Sequence, residues 1–398
     1  MSFLQDIVKG VSLKSTPTTQ QQQQHTANHK VKVYCETDDD YNRLLSETSF
    51  DHYYQAIKQF TFQSVSLKIS VEEAKALIAE FQDFSSNFRR TQDTEQANSE
   101  DNVIQYEEWK NVNTDDHELN ERRGILLNLC KRVDECAVDL PNREDGFFCR
   151  MATMSPKDAA TNRLGFISLV WKHYNELLKL EKEMNIDFKE QMNRNVYALY
   201  KASTSALKLN NGMDAVQLLV ESERAQQELN KIASGVYGDA TKTNELILRE
   251  WCTFDVAHEF RAFICNKKLT GITQYNPFVY FPQLIKQKED LQQLMRNFLE
   301  KDIINNPAIQ VSNFIVDIII VQDRNGEKQV KIVELNPFAE FAGTCLFTWE
   351  NDRDILEGKS PNHQIEFRLV TACVPNCEKE MGNEWKDALT KLTKKQQQ

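Results

Sequence analysis

Beyond Phe50 the apolar residues fall into regular spacings. Val65, Leu67 and Ile69 occupy every second position with polar residues between them, as in a half-buried strand. Ser70 and Glu73 then supply the Ser-x-x-Glu of a capping box. Val71, Ala74, Leu77, Ile78, Phe81 and Phe84 follow at helical spacing, so the pattern predicts a strand and then a helix. Leu119 to Val133 reads as helix, and Phe147 to Met151 as a short apolar strand followed by Ser155-Pro156. From Ile167 to Leu209 the pattern is long and helical. Trp171, Tyr174, Leu177, Leu178 and Leu180 share one face there, and such a stripe is read as core rather than as a cofactor box.

The second half changes character. Val216 to Leu219 and Leu246 to Trp251 read as short buried strands, and Phe260 to Gln274 as a hairpin turning at Asn266-Lys267-Lys268. A helical stretch from Leu284 to Leu299 leads to a second hairpin, Ile315 to Val321 and Val330 to Leu335, joined across Asn325-Gly326, a strong hairpin signal. The class expected is α+β. Residues 1–30, with five consecutive glutamines from Gln20, are expected to form a disordered Gln/Thr-rich tail. An N-terminal α+β lobe is expected over 31–215, with an acidic insert at 90–121 and a helical insert at 160–213. A second lobe covers 216–370, and 371–398 is a C-terminal tail, also expected to be disordered.

Composition narrows the function classes. The chain has 398 residues, enough for two or three domains, and only 12 Gly and 9 Pro, too few for an all-β protein dense in tight turns. Its net charge of −11 disfavours a nucleic-acid partner, and no apolar run is long enough to span a membrane. The nine cysteines contain no Cys-x-x-Cys, which suits reduced thiols in an intracellular protein. With no apolar signal segment, the cytoplasm is the expected location. The acidic insert reads as a solvated surface, or as a docking segment for a basic partner.

The candidate chemistry lies in the second hairpin. A two-residue turn at Asn325-Gly326 sets Asp317 opposite Glu334 and Ile315 opposite Asn336. Two carboxylates then face each other within runs of Ile and Val, an arrangement that needs compensation. Mg²⁺ held by the two acids with the Asn336 carbonyl would supply it. A one-residue slip, or pairing of an acid with Arg261 or Lys331, are the alternatives. In Glu259-Phe260-Arg261-Ala262-Phe263 the strand period sets Arg261 opposite to Phe260, so its guanidinium is available for a phosphate, or for pairing with Glu259 or another carboxylate on an exposed face. Leu246 to Trp251 ends in polar and aromatic residues where a flat base could rest. The P-loop, Rossmann, Gly-x-Ser-x-Gly and His-Glu-x-x-His motifs are absent.

Taken together, Glu259-Phe260-Arg261-x-Phe263, Gly271-Ile272-Thr273-Gln274, Asp317, Glu334-Leu335-Asn336-Pro337-Phe338 and Leu346-Phe347-Thr348-Trp349 resemble, in order and spacing, the cell-division-cycle-123 family. Val65 to Phe81, Ser155-Pro156-Lys157-Asp158-Ala159 and Leu248-Arg249-Glu250-Trp251-Cys252 are similar to further blocks of that family. The resemblance implies an ATP-grasp-like fold: two lobes with antiparallel sheets flanked by helices and a cleft for Mg-ATP between them, the nucleotide site lying in the lobe at 216–370. It implies that Asp317, Glu334 and Asn336 hold Mg²⁺ and that Arg261 faces the phosphates. Arg249, Glu250, Trp251 and Cys252 would form the hinge that meets adenine. The family is an ATP-binding chaperone for assembly of translation initiation factor 2, so a cytoplasmic monomer binding the gamma subunit of that factor is expected. An ATP-dependent carboxylate–amine or carboxylate–thiol ligase, or a nucleotide-free interaction module, are the alternatives.

The chain also departs from the family. Arg150 stands where a phosphate-binding Lys is usual, and Glu334 where Asp is usual. A further Lys is missing at Leu218-Leu219-Val220-Glu221-Ser222, with Lys201 a candidate to replace it, and a cation is missing at Thr273-Gln274-Tyr275.

Overall fold

The computed structural model describes residues 38–92, 116–184, 187–235, 244–322, 325–359 and 364–397. Two helices, α1 (Asp38–Glu47) and α2 (Phe50–Ile57), precede β1 (Ser64–Lys68) and α3 (Val71–Gln92). Next come α4 (His117–Ala137), β2 (Phe147–Met151) and a helical run of α5 (Phe166–Met184), α6 (Gln191–Ser205), α7 (Gly212–Val220) and α8 (Glu223–Ala233). The strand β3 (Glu245–Glu250) leads to the hairpin β4 (Glu259–Cys265) and β5 (Lys268–Gln274). After α9 (Pro282–Lys286) and α10 (Lys288–Phe298) come the hairpin β6 (Phe314–Gln322) and β7 (Lys328–Pro337), then α11 (Arg353–Leu356), β8 (Glu366–Arg368) and α12 (Asn383–Gln396).

The strands form two sheets. One is three-stranded with the order β1-β3-β2, the other five-stranded with the order β7-β6-β4-β5-β8. All pairings are antiparallel except β5 with β8. β3 lies at the centre of the first sheet, paired with strands from far earlier in the chain. The short segment after it carries the chain to β4, which sits in the middle of the second sheet. One hydrophobic cluster runs through both, from Leu246 and Leu248 of β3 to Phe260 of β4 and Ile318 of β6. Position 215/216, where the sequence reading divides two lobes, falls inside α7.

Local signals account for several elements. Ser70 and Glu73 form the expected reciprocal cap of α3: the Ser70 amide donates to Glu73 Oε2 at 2.8 Å, and the Glu73 amide donates to Ser70 Oγ at 3.1 Å. The β4–β5 hairpin turns where expected, with Asn266 and Lys267 both at positive φ. Residues 93–115, most of the acidic insert, and the tail at 1–30 lie outside the described residues; the insert's described flanks continue α3 and begin α4.

Two expectations are corrected. Val216 to Leu219 is helix, not strand: a short apolar run has no period of its own, and Asn211 caps the helix by accepting the Asp214 amide at 2.9 Å. Gly212 opens α7 because a Cβ there would stand 1.9 Å from the Cys130 carbonyl oxygen. The C-terminal segment is also ordered. Trp385, Ala388, Leu389 and Leu392 are buried on one face of α12, which packs on α5 and α6. Enough apolar area is covered there to offset the entropy of ordering the helix.

Candidate functional site

A cleft opens where the two sheets approach. Its first wall comprises Arg249 and Glu250 at the end of β3, Trp251, Cys252 and Phe254 of the connection, Phe62, Phe148 of β2 and Val333 of β7. Its second wall is one face of α6 and the residues just past it, where Tyr200, Ser203, Thr204 and Leu207 recur at helical spacing. Lys157, Glu259, Tyr275 and Asn276 complete the lining. Aromatic and polar groups therefore meet in one concavity, as in a small-molecule site.

Beside it, Asp317 pairs with Glu334 across β6 and β7, and Ile315 with Asn336. Arg261 on β4 stands opposite Asp317 and grips it with both arms, Nε to Oδ1 and Nη2 to Oδ2 at 2.7 Å each. Its remaining Nη1 donates to the Gly343 carbonyl. The Asn336 amide donates to Asp317 Oδ2 at 3.1 Å. Glu334 accepts from Arg150 Nη1 at 2.8 Å and from Lys157 Nζ at 3.3 Å. Burial would raise the Glu334 carboxyl, but Lys157 and then Arg150 outweigh it and hold it well below the usual carboxylate range. Burial pulls Lys157 down, yet Glu334 more than restores it. Lys157 lies 5.5 Å from the ring centre of Tyr275 and the Arg261 guanidinium 5.3 Å from it, so this tyrosine bridges two cations where the family pattern has a third.

Two polar groups of the lining lack such partners. The Tyr200 hydroxyl is buried and bonds to nothing among the described residues. Glu259 makes no side-chain hydrogen bond among the described residues, and burial pushes its carboxyl up to about 7 although Lys157 acts in the other direction.

Arg261, Asp317 and Asn336 thus form one hydrogen-bonded group and Arg150, Lys157 and Glu334 a second, set side by side by the pairing of Asp317 with Glu334, and Glu250, Trp251 and Cys252 line the cleft. The guanidinium of Arg249 goes elsewhere. It donates to the Val333 carbonyl and to Thr61 Oγ1 at 2.8 Å each and stacks on Phe62, with its Cζ 4.8 Å from the ring centre. Of the alternatives left open by the sequence, Asp317 takes the pairing with Arg261; Lys331 lies instead by Glu250 at 3.9 Å. Lys201 stands over the ring of Tyr197 and is not part of the lining. Sequence reasoning gave no role to Lys157, Tyr200 or Tyr275, and offered Glu259 only as a partner for Arg261, which pairs with Asp317 instead. Lys157 stood within a quoted block and Glu259 two residues from Arg261, but nothing local says that they converge.

The donor set suits a hard divalent ion in kind: two carboxylates and an amide on one hairpin face. No group of three His, Cys, Asp or Glu side chains gathers among the described residues, so a metal here would depend on Asn336. Every carboxylate oxygen of Asp317 and Glu334 already accepts from a cationic side chain. An Mg-nucleotide offers both replacements at once, a metal for the acids and phosphates for Arg150, Lys157 and Arg261. The residues therefore fit that ligand through exchange of partners.

An α+β protein with a charged cleft between two sheets is the class these features define. Residues 196–387 match the model of a family described as D123. A translation initiation factor eIF2 assembly protein of Xenopus laevis is 29% identical over 159 residues, 39% of this chain and 45% of that protein. The protein of the same name from Candida albicans is 29% identical over 174 residues, 42% of this chain and 48% of that protein. The chain spans about half the length of the curated relatives it matches. The solved structure of Cdc123 from Schizosaccharomyces pombe aligns with a TM-score of 0.49 and 16% identity, covering 82% of this chain and 97% of that one. The resemblance to the cell-division-cycle-123 family read from the motifs is borne out by the family model and by the curated relatives, among them a cell division cycle protein 123 of Candida glabrata, 29% identical over 134 residues, 34% of this chain and 36% of that protein. No helix among the described residues is long and apolar enough to cross a membrane.

Proposed function

We propose that this protein is an assembly chaperone for translation initiation factor 2, working in the cytoplasm on the gamma subunit, with Mg-ATP held in an ATP-grasp-like cleft as a ligand that orders the space between the sheets. The observation that carries the reading is the cleft itself. It sets the Tyr200 hydroxyl, unpartnered among the described residues, and the Glu259 carboxyl beside paired cations and acids, at the end of a connection that includes Trp251. The names of the relatives support the client. Asp317, Glu334 and Asn336 would hold the metal, which would neutralise phosphate charge when bound. Arg150, Lys157 and Arg261 would meet the phosphates, and Glu250, Trp251 and Cys252 would flank the base.

Binding to the folded state alone adds RT ln(1 + [L]/Kd), about 2.7 kcal/mol at roughly a hundredfold excess of ligand over Kd. Mg-ATP is therefore expected to raise the melting midpoint. Asn336→Ala, a variant that leaves no buried charge unpaired, is expected to abolish the Mg²⁺-dependent part of that rise. Asp317→Ala is a poorer probe, because it strands the buried Arg261 charge at a cost of about 3–5 kcal/mol. Purified gamma subunit should bind the protein stoichiometrically without nucleotide turnover. A midpoint indifferent to millimolar Mg-ATP, together with no capture of the gamma subunit, would overturn the reading.

A further inference from the structure

The β6–β7 ladder does not keep one register. Near the turn Val321 pairs with Gln329, and Ile318 with Ile332, so paired residue numbers sum to 650. At Asp317 and Glu334 the sum is 651, because Val333 is an extra residue with no partner in β6. A continuous ladder would set Glu334 opposite Val316 and Asn336 opposite Phe314, turning both side chains to the face away from Asp317. The bulge therefore gathers the three groups.

Two residues from outside its sheet, Thr61 and Arg249 of β3, grip it. Thr61, just before β1, donates its hydroxyl to the Ile332 carbonyl at 2.7 Å and accepts Arg249 Nη2 at 2.8 Å, while Arg249 Nη1 donates to the Val333 carbonyl at 2.8 Å. Both side chains are buried, and the guanidinium also rests on Phe62. Two consecutive carbonyls of the irregular segment are thus satisfied by one hydrogen-bonded unit. Such irregular backbone persists where its surroundings fix it.

We infer that Arg249 and Thr61 are positioning residues that hold the β7 bulge, so that Glu334 and Asn336 share a face with Asp317. The inference rests on the reading of that trio as the metal-binding group, but its structural part can be tested without nucleotide. In the full chain, the pair Val316→Cys with Leu335→Cys reports the bulged register, and Ile315→Cys with Leu335→Cys the continuous one. Linked peptides are identified by mass spectrometry, which separates them from products of the native thiols. Each pair is combined with Arg249→Met or with the near-isosteric Thr61→Val, which keeps the test decisive if the former does not fold.

The expected result is loss of the 316–335 link and gain of the 315–335 link in these backgrounds. Without the engineered cysteines, the Mg²⁺ concentration for half-maximal Mg-ATP stabilisation should rise by roughly 10–100-fold, as when a support behind a metal ligand is removed. Binding of metal-free ATP should change little, whereas a residue in direct contact with the base would weaken both. An unchanged 316–335 link in the folded variants would overturn the inference. A wild-type protein that ignores Mg-ATP but whose link responds to Arg249→Met would sink the nucleotide reading and leave the positioning role standing.

Discussion

Glu221 follows α7 with its carboxyl group buried. Oε1 accepts from Gln217 Nε2 at 2.7 Å, and Oε2 has no partner among the described residues. Burial pushes the group up to about 7, against the opposing charge of Arg163. Because the folded value lies above the unfolded one, ionisation works against the fold. The cost is absent below the usual carboxyl range, grows between about 4.5 and 7, and is complete above 7, reaching on the order of 3 kcal/mol. Glu221→Gln should therefore stabilise the protein at pH 8 and have little effect at pH 4.5; urea unfolding at the two values measures the difference, and an equal gain at both would contradict the assignment. The sequence reveals that an acid stands where the family pattern continues after a lost Lys. It does not reveal that this acid is buried, since burial depends on which helices pack around the end of α7.

α12 shows a similar divide between what is local and what is not. Its apolar positions are visible in the sequence, but the Lys- and Gln-rich end dilutes them, and the surface that receives them is formed by helices some two hundred residues earlier. Trp385 is fully buried and meets Tyr200 edge-on with ring centres 5.0 Å apart, so the helix supports a residue of the cleft wall. Trp385→Ala should cost about 3–5 kcal/mol in chemical denaturation. Loss of less than 1 kcal/mol would show that α12 is not part of the folded core. The second hairpin is a further lesson at this scale. A two-residue turn yields the right partners for Asp317 and Ile315, but the real connection between Gln322 and Lys328 is longer and the bulge at Val333 makes up the difference. The facing pair was legible; the bulge that produces it was not, because the groups that hold it, Thr61 and Arg249, lie far away in sequence.

For the molecule as a whole, strand identity was easier to read than strand company. β3 was visible as an apolar run, yet nothing within it says that it pairs with β1 and β2 rather than with the hairpins that follow. The shared hydrophobic cluster predicts one cooperative unfolding event: circular dichroism and tryptophan fluorescence should give coincident melts, and two separated transitions would show that the sheets unfold as independent units. The matched acids and cations of the cleft have a consequence in solution. A ligand that trades places with existing ion pairs leaves their number nearly unchanged, so its grip should depend only weakly on ionic strength. A potassium chloride titration would then trace a shallow line, unlike the steep one of an open basic groove that gathers phosphates from water.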